Sequence, residues 1–108
     1  MTGKFLGKIN FAEFGTVKDY PFLIGLQLGF KLGDGSYIMN GSINTINIDK
    51  RYWEKQEREQ VITVMIEELS VILKAAKVNY VSQLIGKPVE VEIDRNVFKG
   101  FRILTEVL

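Results

Sequence analysis

A long segment without helix breakers, with strand-like sequence on both sides, constrains the fold of this chain most. No glycine or proline occurs between Arg51 and Lys77, a length that corresponds to about seven helical turns. Asp49 is placed to cap the segment at its start. Apolar residues recur within it at spacings of three and four: Val61, Met65, Leu69, Ile72 and Ala76. This spacing predicts a long amphipathic helix with one buried face.

The region before the helix is typical of antiparallel strands. From Phe22 to Leu32, apolar residues alternate with glycine and polar residues, which predicts a strand with one buried face. Gly33-Asp34-Gly35 predicts a turn. The return strand is expected from Tyr37 to Ile48, with a bulge near Asn40-Gly41 because the apolar positions change parity there. Residues 7–14 are predicted to form a first strand, and residues 15–21 a loop.

The region after the helix predicts a second hairpin. Residues 79–85 are typical of one short helical turn, and two alternating segments follow it. Asp94-Arg95-Asn96 is expected to join them as a three-residue loop, with Asn96 in the left-handed conformation. This loop sets two cross-strand pairs, Val89 with Phe101 and Ile93 with Val97. Strict alternation then places Phe98 and Arg102 together, on the face opposite Phe101 and Ile103.

The element order β-β-β-α-β-β predicts a single α+β domain over residues 1–108. We expect two layers, with an antiparallel sheet of about five strands packed on one long helix. Val64 and Val71 widen the apolar arc of the helix beyond what one sheet face covers. The second face of the sheet and at least one strand edge also stay open. We therefore expect a homo-oligomer, either a dimer or a larger assembly.

Composition excludes several classes of function. The 108 residues include no histidine and no cysteine, so the usual ligands of zinc, haem and iron–sulfur clusters and the usual catalytic dyads are missing. We expect no catalytic residue, no metal and no cofactor. The formal net charge of +1 argues against strong, non-specific nucleic-acid binding. No segment has the pattern of a signal peptide or a membrane span, so we expect a cytoplasmic protein without membrane contact.

Two clusters are candidates for a ligand site. At the helix start, Tyr52 and Trp53 lie among arginines, a combination that suits a stacked base and its phosphates; alternatively, Trp53 anchors the helix to the sheet. At the second hairpin, Phe98 and Arg102 would form a stacking wall with an anion clamp, or part of a dimer interface. The predicted ligand-binding set is Tyr52, Trp53, Arg95, Asn96, Phe98 and Arg102.

Three carboxylates alternate along one strand, at Glu90, Glu92 and Asp94. Side chains at every second position point to the same side, where carboxylates can hold a hard cation or act as acid and base. A half-buried strand also needs polar residues at alternate positions on its exposed face. We therefore interpret these carboxylates as a solvated face.

Roughly the C-terminal half of the chain resembles small, uncharacterised bacteriophage proteins. The resemblance lies in Ala76-Lys77-Val78 and in the segments Leu84–Val91 and Phe101–Leu108. In size and layout the chain is also similar to the Thoeris anti-defence sponge family. This second resemblance implies a non-catalytic oligomer that captures a cyclic ADP-ribose signal and keeps it from its effector. None of that family's binding residues is carried over to this chain.

The sequence therefore favours a phage anti-defence protein that sequesters a small nucleotide-derived signal without catalysis. One alternative is an inhibitor that binds a host defence effector, such as a nuclease or a CRISPR effector, through the open sheet face. Another is an oligomeric structural or assembly protein of the phage. A phosphate clamp would indicate the first function, a flat apolar patch without a clamp the second, and large oligomers without ligand the third.

Overall fold

The computed structural model describes residues 1–49 and 54–108, except for the side chains of residues 39–44 and 55. Its main elements are β1 (Gly3–Val17), β2 (Tyr20–Leu32), β3 (Tyr37–Asn47), α1 (Lys55–Ala76), β4 (Pro88–Asp94) and β5 (Val97–Ile103). Short 3₁₀ turns cover Val81–Leu84 and Thr105–Val107. The predicted α+β class and element order are confirmed.

The strands form one antiparallel sheet in the order β3-β2-β1-β4-β5. The core lies on the side of the sheet that faces α1. Alternate residues of β2 supply its centre, where Leu26, Leu28 and Phe30 are fully buried. The helix packs Leu69 and Ile72 against this cluster. The opposite side of the sheet is called the open face below.

The helix starts later than the sequence predicted. Glu54 precedes the first helical residue and has an extended conformation (φ −72°, ψ 147°), so α1 begins at Lys55 and Asp49 does not cap it. The backbone amide of Asp49 donates a hydrogen bond to the side-chain oxygen of Asn47 at 2.8 Å. At the other end, Lys77 adopts the left-handed conformation (φ 58°) and its amide bonds back to the last turn.

The prediction of a loop over residues 15–21 is wrong. β1 continues to Val17, and Gly15 pairs with Gly25 inside the β1–β2 ladder. The chain reverses tightly at Lys18 and Asp19, where Asp19 takes a positive φ of 69°, a conformation that aspartate tolerates better than most residues. Pairing with β2 therefore keeps a glycine-containing segment extended.

The predicted turn and bulge in the β2–β3 hairpin are confirmed. Gly35 has a φ of +91°, and the Asp34 carboxylate accepts hydrogen bonds from the amide (2.9 Å) and hydroxyl (2.6 Å) of Ser36. These bonds lower the pKa of Asp34. Further along, Leu26 pairs with Asn44 but Leu28 pairs with Asn40. Moving two residues along β2 therefore corresponds to moving four residues along β3. The irregularity in the ladder lies between Asn40 and Asn44, where the sequence predicted the bulge.

The β4–β5 hairpin differs from the prediction by its turn and its register. Arg95 and Asn96 both have left-handed φ values, 52° and 65°, so Asp94 pairs directly with Val97 across a two-residue turn. A bulge follows, because Ile93 pairs with Phe98 and Glu92 with Gly100, which leaves Lys99 without a partner position on β4. The corrected register pairs Val89 with Ile103 rather than with Phe101.

Candidate binding groove

The structure separates the described residues of the ligand site that the sequence predicted. Tyr52 and Trp53 lie outside the described residues. Arg95 and Asn96 form the tip of the β4–β5 hairpin, where the Arg95 amide donates to the Thr2 hydroxyl at 3.0 Å and the Asn96 amide donates to the Met1 carbonyl at 2.9 Å. The backbone donors of this turn therefore bind the first residues of the chain rather than a ligand.

Phe98 packs into the core, so its predicted role as an exposed stacking wall is wrong. Its ring stacks on Phe30, with centroids 5.5 Å apart and planes 15° from parallel. Phe101 lies on the same side and contacts the same ring, at 5.2 Å between centroids. The bulge at Lys99 causes the change, because one extra residue reverses the side on which the preceding residue points.

Arg102 pairs with carboxylates of its own chain. Its Nε lies 3.3 Å from Glu90, its cross-strand neighbour, and a terminal nitrogen lies 3.1 Å from Glu106. The hydrogen bond to Glu106 raises the pKa of Arg102 most, and the hydrogen bond to Glu90 raises it further. The Arg102 side chain is about half exposed, so these ion pairs are screened by solvent and weak. The predicted anion clamp is therefore already occupied by Glu90 and Glu106.

Replacing Arg102 with alanine should raise the pKa of Glu106 part of the way to its ordinary value. The Glu106 pKa is lowered first by its own backbone amide, which the variant keeps, and second by the hydrogen bond from Arg102, which it loses. The contribution of Glu106 to stability is present above its unfolded-state pKa and is lost as the pH falls through the lower folded-state value. NMR titration of the Glu106 side-chain carboxyl measures the change. An identical titration curve in both proteins would contradict the observed pairing.

A groove runs between α1 and β5 on the core side. The cavity volume is about 790 Å³. The helix wall is formed by Val64, Glu67, Glu68, Val71, Ile72 and Ala75, and the strand wall by residues 98–103. Half or more of the side-chain surface of Val64 and Val71 remains exposed. We call this surface the α1–β5 groove. The over-wide apolar arc of the helix was the sequence signal for it.

One wall of the groove includes a strand edge. β5 ends the strand order and pairs with β4 alone among the described strands. The Leu104 amide donates to the Pro88 carbonyl at 3.0 Å. Since hydrogen-bonded and non-bonded positions alternate in an antiparallel ladder, the amides and carbonyls of Phe101 and Ile103 point away from β4. The groove therefore combines apolar side chains with backbone groups that are free to pair with another strand.

Comparison with known proteins gives no relative: no family model, no curated protein and no solved structure matches the chain. In the described residues, no helix is long and apolar enough to cross a membrane. Nor does any group of three or more potential ligand side chains in residues 1–49 and 54–108 come close enough to hold a metal ion.

Proposed function

We propose that the protein is a non-catalytic, cytoplasmic binding protein that docks an extended segment of another protein in the α1–β5 groove. The free edge of β5 beside an apolar groove carries this proposal. An added strand pairs with the backbone of Phe101 and Ile103, and its alternate side chains enter the groove. Arg102, which was expected to clamp a phosphate, pairs with Glu90 and Glu106. An inhibitor of a host defence effector is the matching class of phage protein.

The walls of the groove define the chemistry of this partner. Apolar side chains of the bound segment face Val71 and Ile72, which are separated from β5 by the groove. Glu67 on the helix wall favours a basic residue on the side of the segment that faces the helix. The partner segment is thus an extended stretch with alternating apolar residues and at least one lysine or arginine.

Selection of peptides from a random library against the purified protein tests this proposal. We expect a consensus with alternating apolar residues and a basic residue. Val71→Lys should weaken binding of the selected peptide by at least about tenfold, because it places a charge in the apolar groove. Ile66→Lys is the matched control, since Ile66 is a half-exposed residue of the same helix that does not line the groove.

Three results would contradict the proposal. The first is a selected consensus without alternating apolar residues, and the second is an equal loss of binding in Val71→Lys and Ile66→Lys. The third is a dimer of the free protein that dissociates in Val71→Lys alone, as measured by light scattering. That result would assign the groove to a second copy of the chain and support the predicted homo-oligomer.

Sequestration of a nucleotide-derived signal of the cyclic ADP-ribose type is the second candidate function. The volume of the groove favours it, since about 790 Å³ is in the range of small-molecule sites. Phe101 and Lys99 would supply the ring contact and the positive charge. Calorimetric titration with cyclic ADP-ribose should then give binding that Lys99→Ala removes. The absence of heat would contradict this function and leave the protein-docking proposal unaffected.

A further inference from the structure

The open face of the sheet carries two lysines that face each other directly. Lys8 on β1 and Lys31 on β2 are cross-strand partners, and both are exposed. Like charges in this arrangement repel and destabilise a sheet. Neither lysine has an ion-pair partner among the residues that the structure describes. Glu90, a diagonal neighbour of Lys8 across the β1–β4 ladder, is paired with Arg102. The two ammonium groups therefore form a local positive site that the protein itself leaves without a counter-charge.

An aromatic ring completes this cluster on the next strand. Tyr37 on β3 is the cross-strand partner of Lys31, and the Lys31 ammonium lies 5.5 Å from the centre of its ring. Tyr37 is 61% exposed, so a large part of its ring is open to solvent. A depression of about 420 Å³ includes both lysines and Leu6 in its lining. A row across three strands thus presents two cations, a ring and a shallow depression.

We propose that the Lys8–Lys31–Tyr37 cluster binds a phosphate group of a nucleotide, with the base against the Tyr37 ring. A phosphate between the two ammonium groups removes their repulsion and makes charge-assisted hydrogen bonds with both. Cations beside an exposed ring are the usual combination for a nucleotide, whether free or within a single strand. The site is local, and the nearly neutral net charge of the chain therefore does not oppose it. It lies on the face opposite α1 and is independent of the α1–β5 groove.

NMR titration of the labelled protein with adenosine monophosphate, and separately with an eight-residue oligothymidylate, tests this site. We expect amide shifts at Lys8, Lys31 and Tyr37, with none at Phe101 in the groove. Added salt should weaken the binding, because phosphate contacts are screened. Saturation by the mononucleotide would assign the site to free nucleotides, whereas shifts with the oligonucleotide alone would assign it to single strands.

Lys8→Glu should weaken binding of the same probe by at least about tenfold. A glutamate opposite Lys31 replaces a repulsive pair with an attractive one, so the melting temperature of this variant should stay unchanged or rise. An unchanged or higher melting temperature shows that misfolding does not cause the weaker binding. Lys18→Glu makes the same change in charge at the tip of the β1–β2 hairpin and should leave binding intact. The proposal is overturned by equal losses in both variants, by an absence of shifts with both probes, or by binding to anionic phosphatidylglycerol vesicles alone.

Discussion

Gly7→Ala should lower the free energy of unfolding by about 3 kcal/mol, the upper end of the usual cost of overpacking. A β-carbon added at Gly7 would lie 2.5 Å from the Lys31 carbonyl oxygen and 3.1 Å from the Leu32 α-carbon. Both atoms belong to the backbone of β2, so rotation of a side chain cannot relieve the contact. β1 is the central strand of the sheet, and any displacement there disturbs the ladders on both sides.

Denaturation in urea measures this effect, with Gly15→Ala as the matched control in the same strand. A β-carbon at Gly15 meets no atom within 4 Å, so the control should change stability by no more than about 0.5 kcal/mol. Equal effects of the two substitutions would show that β1 and β2 do not approach each other closely at Gly7.

Phe98→Ala should lower the free energy of unfolding by about 2 kcal/mol, less than the 3–5 kcal/mol typical of a fully buried phenylalanine. Phe98 is half-buried, and its ring stacks on the fully buried Phe30. The loss combines apolar area removed from the core with the stacking contact itself. Val97→Ala, in the same strand at a residue that is 53% exposed, should cost no more than about 0.5 kcal/mol.

The same pair of variants tests the bulge at Lys99. With strict alternation along β5, Phe98 would lie on the open face and Val97 on the core side, so the removal of Phe98 would cost no more stability than the removal of Val97. With the bulge, Phe98 joins Phe101 and Ile103 on the core side. Chemical denaturation of the two variants therefore distinguishes the two registers. A loss of stability in Phe98→Ala that is no larger than the loss in Val97→Ala would contradict the structure of this hairpin.

The main elements were predictable because their signals extend over many residues. The glycine- and proline-free segment indicates the helix over more than five turns, and the alternation from Phe22 to Leu32 identifies the buried face of β2. The turn at Gly33–Gly35 follows from residues that tolerate positive φ. In each case local preference and core packing favour the same structure.

The register of the second hairpin was not predictable, because two single residues decide it. Asn96 commonly adopts the left-handed conformation, but nothing about Arg95 indicates that it does so too. Lys99 forms a bulge that no residue type nearby requires. Of Phe98 and Arg102, the bulge moved only Phe98 to the other side of the sheet. Arg102 lies on the predicted side, and its predicted role was lost to the ion pairs with Glu90 and Glu106.

The candidate site was predictable only in part. Val64 and Val71 indicated surplus apolar surface on the helix, and both residues line the α1–β5 groove. The surface that faces them across the groove depends on how α1 lies over β5, which no local pattern specifies. The Lys8–Lys31 pair likewise depends on the β1–β2 register, because the two residues are distant in the chain.

Hydrogen exchange at the backbone amides of Phe101 and Ile103 tests the proposed docking surface most directly. In the free protein both amides point away from β4 and should exchange rapidly. Strand addition by a bound peptide from the library selection should slow both by at least about tenfold, while the amide of Lys18 at the hairpin tip keeps its rate. Unchanged exchange at Phe101 and Ile103 in the presence of saturating peptide would contradict docking at the β5 edge.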